Sequence, residues 1–90
     1  MKLNENFLIH QTDSGEILIP VGGETKKFHG VVKLNGTGAE IVHLLEEEDM
    51  SLDALLERFY NEYPDSDKNE IKEGVTSFVN KLKEINAITL

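Results

Sequence analysis

The chain has 90 residues, with 17 acids against 9 bases, a formal net charge of −8 and no cysteine. That length suits one domain (residues 1–90) with a modest core, and the absence of cysteine excludes a disulfide framework, a thiolate metal site and a thiol nucleophile. The opening Met1-Lys2-Leu3-Asn4 has no apolar signal core, and no apolar run approaches the roughly 18 residues of a membrane span, so a cytoplasmic protein with no membrane partner is expected.

Strands are predicted over about residues 6–34. Phe7-Leu8-Ile9-His10-Gln11 and Glu16-Ile17-Leu18-Ile19-Pro20-Val21 flank Asp13-Ser14-Gly15, a link with turn chemistry and a glycine for positive φ, which predicts a hairpin. Gly22-Gly23-Glu24 is a second break, and a third strand follows from about Phe28 to Leu34. β-Branched residues and glycines dominate this third of the chain, so no helix fits before residue 35.

Helices are predicted over about residues 36–86. Two N-caps compete at the first: Asn35 directly, or Thr37 in the capping box Thr37-Gly38-Ala39-Glu40. Ile41, Leu44 and Leu45 make its apolar stripe, which stops in Glu46-Glu47-Glu48-Asp49. Ser51 is the expected cap of the second helix, whose Leu52, Leu55, Leu56, Phe59 and Tyr63 lie at helical spacing before Pro64 ends it. Asp67-Lys68-Asn69-Glu70 has capping-box spacing and opens the third, with Ile71, Val75, Phe78, Leu82 and Ile85 as its core stripe. Asn86 suits a left-handed C-terminal cap, after which Ile88 can fold back on the core. The order is α+β: a three-stranded antiparallel sheet followed by a three-helix bundle.

The charge is unevenly placed. Residues 1–34 are neutral and 68–90 carry +1, whereas residues 35–67 hold ten acids against Arg58 alone, a net −9. Such a segment repels a phosphate backbone, so nucleic acid is not an expected partner.

Catalytic chemistry is missing. His10, His29 and His43 sit in separate elements without ligand spacing, so no metal site is expected, and each is read as a structural histidine. Gly36-Thr37-Gly38 is followed by no lysine and fits neither phosphate-loop pattern. The acids Glu46 to Asp49 lack the alternating ligands and central glycine of a calcium loop. Asp49-Met50-Ser51-Leu52 is similar to the serine attachment site of acyl carrier proteins, but Met50 interrupts the motif and carrier proteins begin with helix, so Ser51 is read as a cap. The chain is expected to be no enzyme, with no catalytic residue and no cofactor.

Binding is the better reading. Alternation in the third strand puts Val32 and Leu34 on one face and Val31 and Lys33 on the other, leaving Val31 exposed if the first pair faces the core. On the third helix, Lys68, Lys72, Val75, Thr76, Val79 and Lys83 form a basic and apolar stripe beside the core stripe. For an arbitrary helix, the blander interpretation is that Val79 widens the core face and the lysines are solvated. If strand and helix lie side by side, they instead make a groove with unpaired backbone on one wall and an apolar floor on the other, suited to β-augmentation by a peptide. Val79→Asp is then expected to weaken binding and leave the fold cooperative.

At these residues the chain resembles a family. Leu34-Asn35-Gly36-Thr37-Gly38-Ala39-Glu40-Ile41, then Leu44-Leu45, an acidic break, Ser51-Leu52-Asp53-Ala54-Leu55-Leu56, Tyr63 and the closing Leu82-Lys83-Glu84-Ile85 look like PqqD-like proteins, named from coenzyme PQQ synthesis protein D. Ile19-Pro20-Val21-Gly22 and Phe28-His29-Gly30-Val31 extend the likeness over nearly the whole chain. Val42 departs from it, standing where many relatives place an aromatic residue. The resemblance implies a winged-helix-like fold that binds the leader of a ribosomally made precursor peptide as an added strand and presents it to a modifying enzyme, often a radical SAM enzyme. Carried onto this chain, the peptide-binding residues are Gly30, Val31, Val32, Lys33 and Leu34 of the strand and Lys72, Val75, Thr76, Val79 and Lys83 of the helix. One further reading competes, a winged-helix DNA-binding transcription factor, opposed by the acidic first and second helices; the exposed third strand can in addition pair with its own copy as a homodimer.

Overall fold

A computed structural model describes residues 1–22, 31–34 and 36–89. The hairpin forms as its sequence predicts. Strands β2 (Phe7–Thr12) and β3 (Gly15–Pro20) pair antiparallel with Ile9 opposite Leu18, following a short β1 (Lys2–Leu3). Gly15 takes φ 118°, a conformation that costs a side-chain-bearing residue dearly. Thr12 closes the turn, its Oγ1 donating to the Gly15 carbonyl at 2.6 Å and accepting from the Ser14 amide at 3.2 Å.

Strand β4 (Val32–Leu34) pairs antiparallel with β3, Val32 opposite Leu18 and Leu34 opposite Glu16. The order β2-β3-β4 leaves β4 on an edge. It is shorter than predicted: Val31 precedes the strand, and the expected start at Phe28 to Gly30 lies outside the described residues. The faces alternate as anticipated. Phe7, Leu18, Val32 and Leu34 are buried, while Leu8, Val31 and Lys33 point away from the core.

Three helices follow: α1 (Gly36–Glu47), α2 (Leu52–Glu62) and α3 (Lys68–Glu84). Because α1 starts at Gly36, Thr37 lies inside the helix and not at its cap position, while the competing Asn35 lies outside the described residues. Glu40 does not reach back to a cap either; its Oε1 accepts from the Tyr63 hydroxyl at 2.9 Å, tying α1 to the end of α2. Ser51 caps α2, accepting from the Ala54 amide at 3.1 Å. Asp67 caps α3 through Oδ1, accepting from the Asn69 amide at 2.7 Å. Asp67→Ala is expected to cost about 1 kcal/mol, lowering the melting temperature by roughly 4–8 °C in a calorimetric scan.

A second, two-stranded sheet was not foreseen. Strand β5 (Ile88–Thr89) pairs antiparallel with β1, and Asn86, at φ 63°, makes the left-handed turn that sends Ile88 back to the core. Asn4 holds this junction. Its Nδ2 donates to the Asn86 carbonyl at 2.9 Å, its Oδ1 accepts from the Asn6 amide at 2.9 Å, and its own amide donates to the Ala87 carbonyl at 2.7 Å. A buried amide so fully bonded fixes the path of both termini.

One core cluster joins sheet and helices, with Leu18, Ile41, Leu45, Leu55, Phe59 and Leu82 at its centre. Val42 is fully buried among them, so the departure from the family pattern is a core position. On α3 the buried line is Val75, Val79 and Leu82, whereas Ile71, Phe78 and Ile85 are half-buried and pack against it. The core face is therefore rotated from the predicted stripe towards Val79. The comparison with a winged helix stays loose, and the shared features are an antiparallel sheet followed by three helices.

Candidate functional site

The β4 edge begins the site. β3 occupies one side of β4, and the other side has no partner strand among the described residues. Edge backbone of this kind is a template for another chain, because its N–H and C=O groups seek partners at fixed spacing. Val31, at the entrance to the strand, is 55% exposed, and Lys33 lies open on the outer face opposite Ile17. Val32 and Leu34 are buried, so they anchor the edge and offer backbone rather than side chain. Gly30 lies outside the described residues.

The five residues expected from α3 divide. Lys72 and Lys83 are exposed and Thr76 is half-buried, as a groove wall requires. Val75 and Val79 are each 1% exposed and belong to the core cluster that also holds Val32 and Leu34. This corrects the expected apolar floor: the two valines support the wall from beneath and present no surface. The reason lies in helical geometry, since positions 72, 75, 76, 79 and 83 straddle the boundary between the core line and the solvent.

Lys72 and Thr76 open onto a concavity of about 690 Å³ along the outer face of α3, shared with Glu73, Ser77, Asn80, Lys81 and Glu84. Two lysines alternate there with two glutamates, giving a charged and polar trough that the apolar-basic stripe did not foresee. The signal was present in the spacing of 73, 77, 80, 81 and 84, which is helical and entirely polar. Thr76 adds a specific feature: its Oγ1 is buried without a hydrogen-bond partner among the described residues, a polar atom waiting for one.

A second concavity, about 660 Å³, lies between the start of α1, the end of α2 and the first half of α3. Phe59, Tyr63, Ile71 and Phe78 give it apolar walls, and Glu40 and Glu70 bring carboxylates to it. Gly38 sets the approach of α1 to α3, since a Cβ there would stand 3.1 Å from the Phe78 ring. Glu40 carries a hydrogen bond from Tyr63 on one oxygen, while its Oε2 is buried with no partner among the described residues.

Hydrogen bonding to Glu40, some loss of hydration and the Glu40 charge raise the carboxyl of the exposed Glu62 above the ordinary range, and Arg58 opposes them. A carboxyl raised in the folded state binds more protons there than when unfolded. Stability from this group is therefore present at acid pH and lost as pH rises from the ordinary carboxylate range through the raised value. Glu62→Gln, whose amide can donate to Glu40, is expected to melt higher than the parent at pH 7, with the gap closing as pH falls below the ordinary range. Melting curves across pH check it.

The histidines take no common site. His10 is exposed on β2, His43 Nε2 meets Glu16 Oε2 at 2.7 Å and links α1 to β3, and His29 lies outside the described residues. No group of three His, Cys, Asp or Glu side chains among the described residues is placed to hold a metal ion. No helix of the described residues is long and apolar enough to cross a membrane. Residues 15–88 match the family model described as Coenzyme PQQ synthesis protein D (PqqD). Comparison with curated proteins and with solved structures finds no significant match.

Proposed function

The chain belongs to the PqqD family, and on that premise we propose that it is a non-catalytic peptide-binding module that takes the leader of a ribosomally made precursor peptide as an added strand on β4. The observation that carries this reading is the β4 edge, with one side unpartnered among the described residues and Val31 and Lys33 exposed on it. The leader's main chain would bond to the edge, which gives affinity without demanding a sequence. Sequence choice would come from side chains meeting Val31, the Thr76 hydroxyl and the lysines Lys72 and Lys83. The domain would act as a chaperone, holding the precursor for a modifying enzyme of the radical SAM type and supplying neither cofactor nor catalytic group itself.

A DNA-binding role is disfavoured by charge. α1 and α2 together hold a single base, Arg58, where a recognition helix needs several bases towards phosphates. The peptide reading is tested by fluorescence anisotropy of a labelled candidate leader peptide. Saturable binding that a scrambled leader cannot reproduce supports it, and no binding at any accessible concentration overturns it. For a leader with acidic residues facing the lysines, the double variant Lys72→Glu, Lys83→Glu is expected to weaken binding about tenfold and to flatten its salt dependence, because rim charges act chiefly on encounter and screening. Anisotropy titrations at two salt concentrations measure both effects.

A further inference from the structure

The helical cavity shares no lining residue with β4, and its chemistry is incomplete. Glu40 Oε2 is a buried acceptor without a donor among the described residues, and a second carboxylate, Glu70, lines the same cavity. Burying an acceptor oxygen without a donor is costly, and carboxylates that line one cavity repel. A single cationic donor entering the cavity would ease both. The walls constrain which cation fits. Phe59 and Tyr63 stack with ring centroids 6.1 Å apart, Tyr63 is 41% exposed, and Phe78 faces them from α3. Gly74 leaves room at the wall, since a Cβ built there meets nothing within 4 Å.

We infer that this cavity receives an arginine side chain of a partner protein, with the guanidinium paired to Glu40 and the flat group and its stem lying against the aromatic walls. A guanidinium matches a carboxylate through two parallel N–H bonds and stacks on aromatic rings, which an ammonium does less well. A small metal ion would leave the apolar walls unused. Residues 35–67, which supply the α1 and α2 walls, carry −9, far more than one guanidinium neutralises, so the field favours an arginine set in a basic segment. A free amino acid would bring its own carboxylate and be repelled. The occupant is therefore a basic surface segment of a second protein. This inference stands whether or not β4 accepts a leader.

The probe is N-acetyl-arginine-methylamide, with its lysine and citrulline counterparts, titrated into the isotopically labelled chain and followed by amide NMR. Saturable shifts are expected at Gly38, Glu40, Tyr63 and Gly74, with no change over Val31–Leu34. The neutral citrulline counterpart should bind at least about tenfold more weakly, as should the arginine probe to Glu40→Gln, which keeps an acceptor for Tyr63 but loses the charge. Gly74→Leu adds its side chain where there is space and should abolish the cavity shifts in a folded chain. Equal affinity for arginine and citrulline, equal affinity for lysine, the same shifts from magnesium chloride alone, or no cavity shifts at all would each overturn the assignment. Leader binding is read at β4, so failure here and failure there are separate results.

Discussion

Val79→Asp is expected to abolish the cooperative fold. Val79 is 1% exposed within the core cluster, so the aspartate would stand unpaired among Val75, Leu82 and the other buried apolar side chains. A buried, unpaired carboxylate costs several kcal/mol even after its pKa rises, comparable to the whole stability of a small domain, about 5–15 kcal/mol. Asn80→Asp is the matched control. Asn80 is exposed one residue further on, and the same new charge should change stability by no more than about 0.5 kcal/mol. Thermal melts followed by circular dichroism separate the two: a cooperative transition persists for Asn80→Asp and is missing for Val79→Asp.

The second large effect concerns the leader. If its backbone joins β4, alternate residues turn their amides towards the edge and the intervening ones turn theirs away. Two leaders N-methylated at alternate positions, one set odd and one set even, should then differ sharply. The set whose amides face β4 loses its ladder bonds and gains steric bulk, and should bind at least about tenfold more weakly. The other set should bind within a few-fold of the parent. A groove recognising only side chains would treat the two sets alike, so isothermal titration of both peptides distinguishes the modes.

Much of the fold was legible because local chemistry and global packing agree in it. Gly15 at the hairpin, Ser51 and Asp67 at the helix starts, Pro64 after α2 and Asn86 at the left-handed turn each do what their residue type does best. The alternation that exposes Val31 and buries Val32 and Leu34 was equally plain, since a period of two leaves little choice once one face is core. The small β1–β5 sheet was not legible. Each strand has two residues, and their pairing depends on Asn4 meeting the backbone at Asn86 and Ala87, more than 80 positions away.

The candidate site was only half legible for a related reason. Several apolar stripes fit the α3 sequence at helical spacing, and periodicity alone cannot say which of Phe78 and Val79 turns inward. Tertiary packing decides it: Phe78 packs beside Gly38 and walls the helical cavity, and Val79 takes the core. The pair of Glu40 and Glu62 was invisible for the same reason. Its members lie 22 residues apart on different helices, and Glu40 in its capping-box position promised a local bond that it makes instead with Tyr63.

The acidic total is also better understood from its placement. The −9 segment supplies the α1 and α2 walls of the helical cavity, whereas β4 and α3 belong to parts of the chain that are nearly neutral. Two surfaces of different electrostatic character thus lie on one small domain, one suited to a peptide strand and one to a basic partner.

Amide hydrogen exchange over Val31–Leu34, with and without saturating leader, tests the proposed strand addition most directly. Edge amides that face solvent in the free protein should exchange at least about tenfold more slowly in the complex, because each one engaged in a ladder opens only with the bound strand. Exchange at β4 that is unchanged at saturation, with protection appearing only elsewhere, would contradict it.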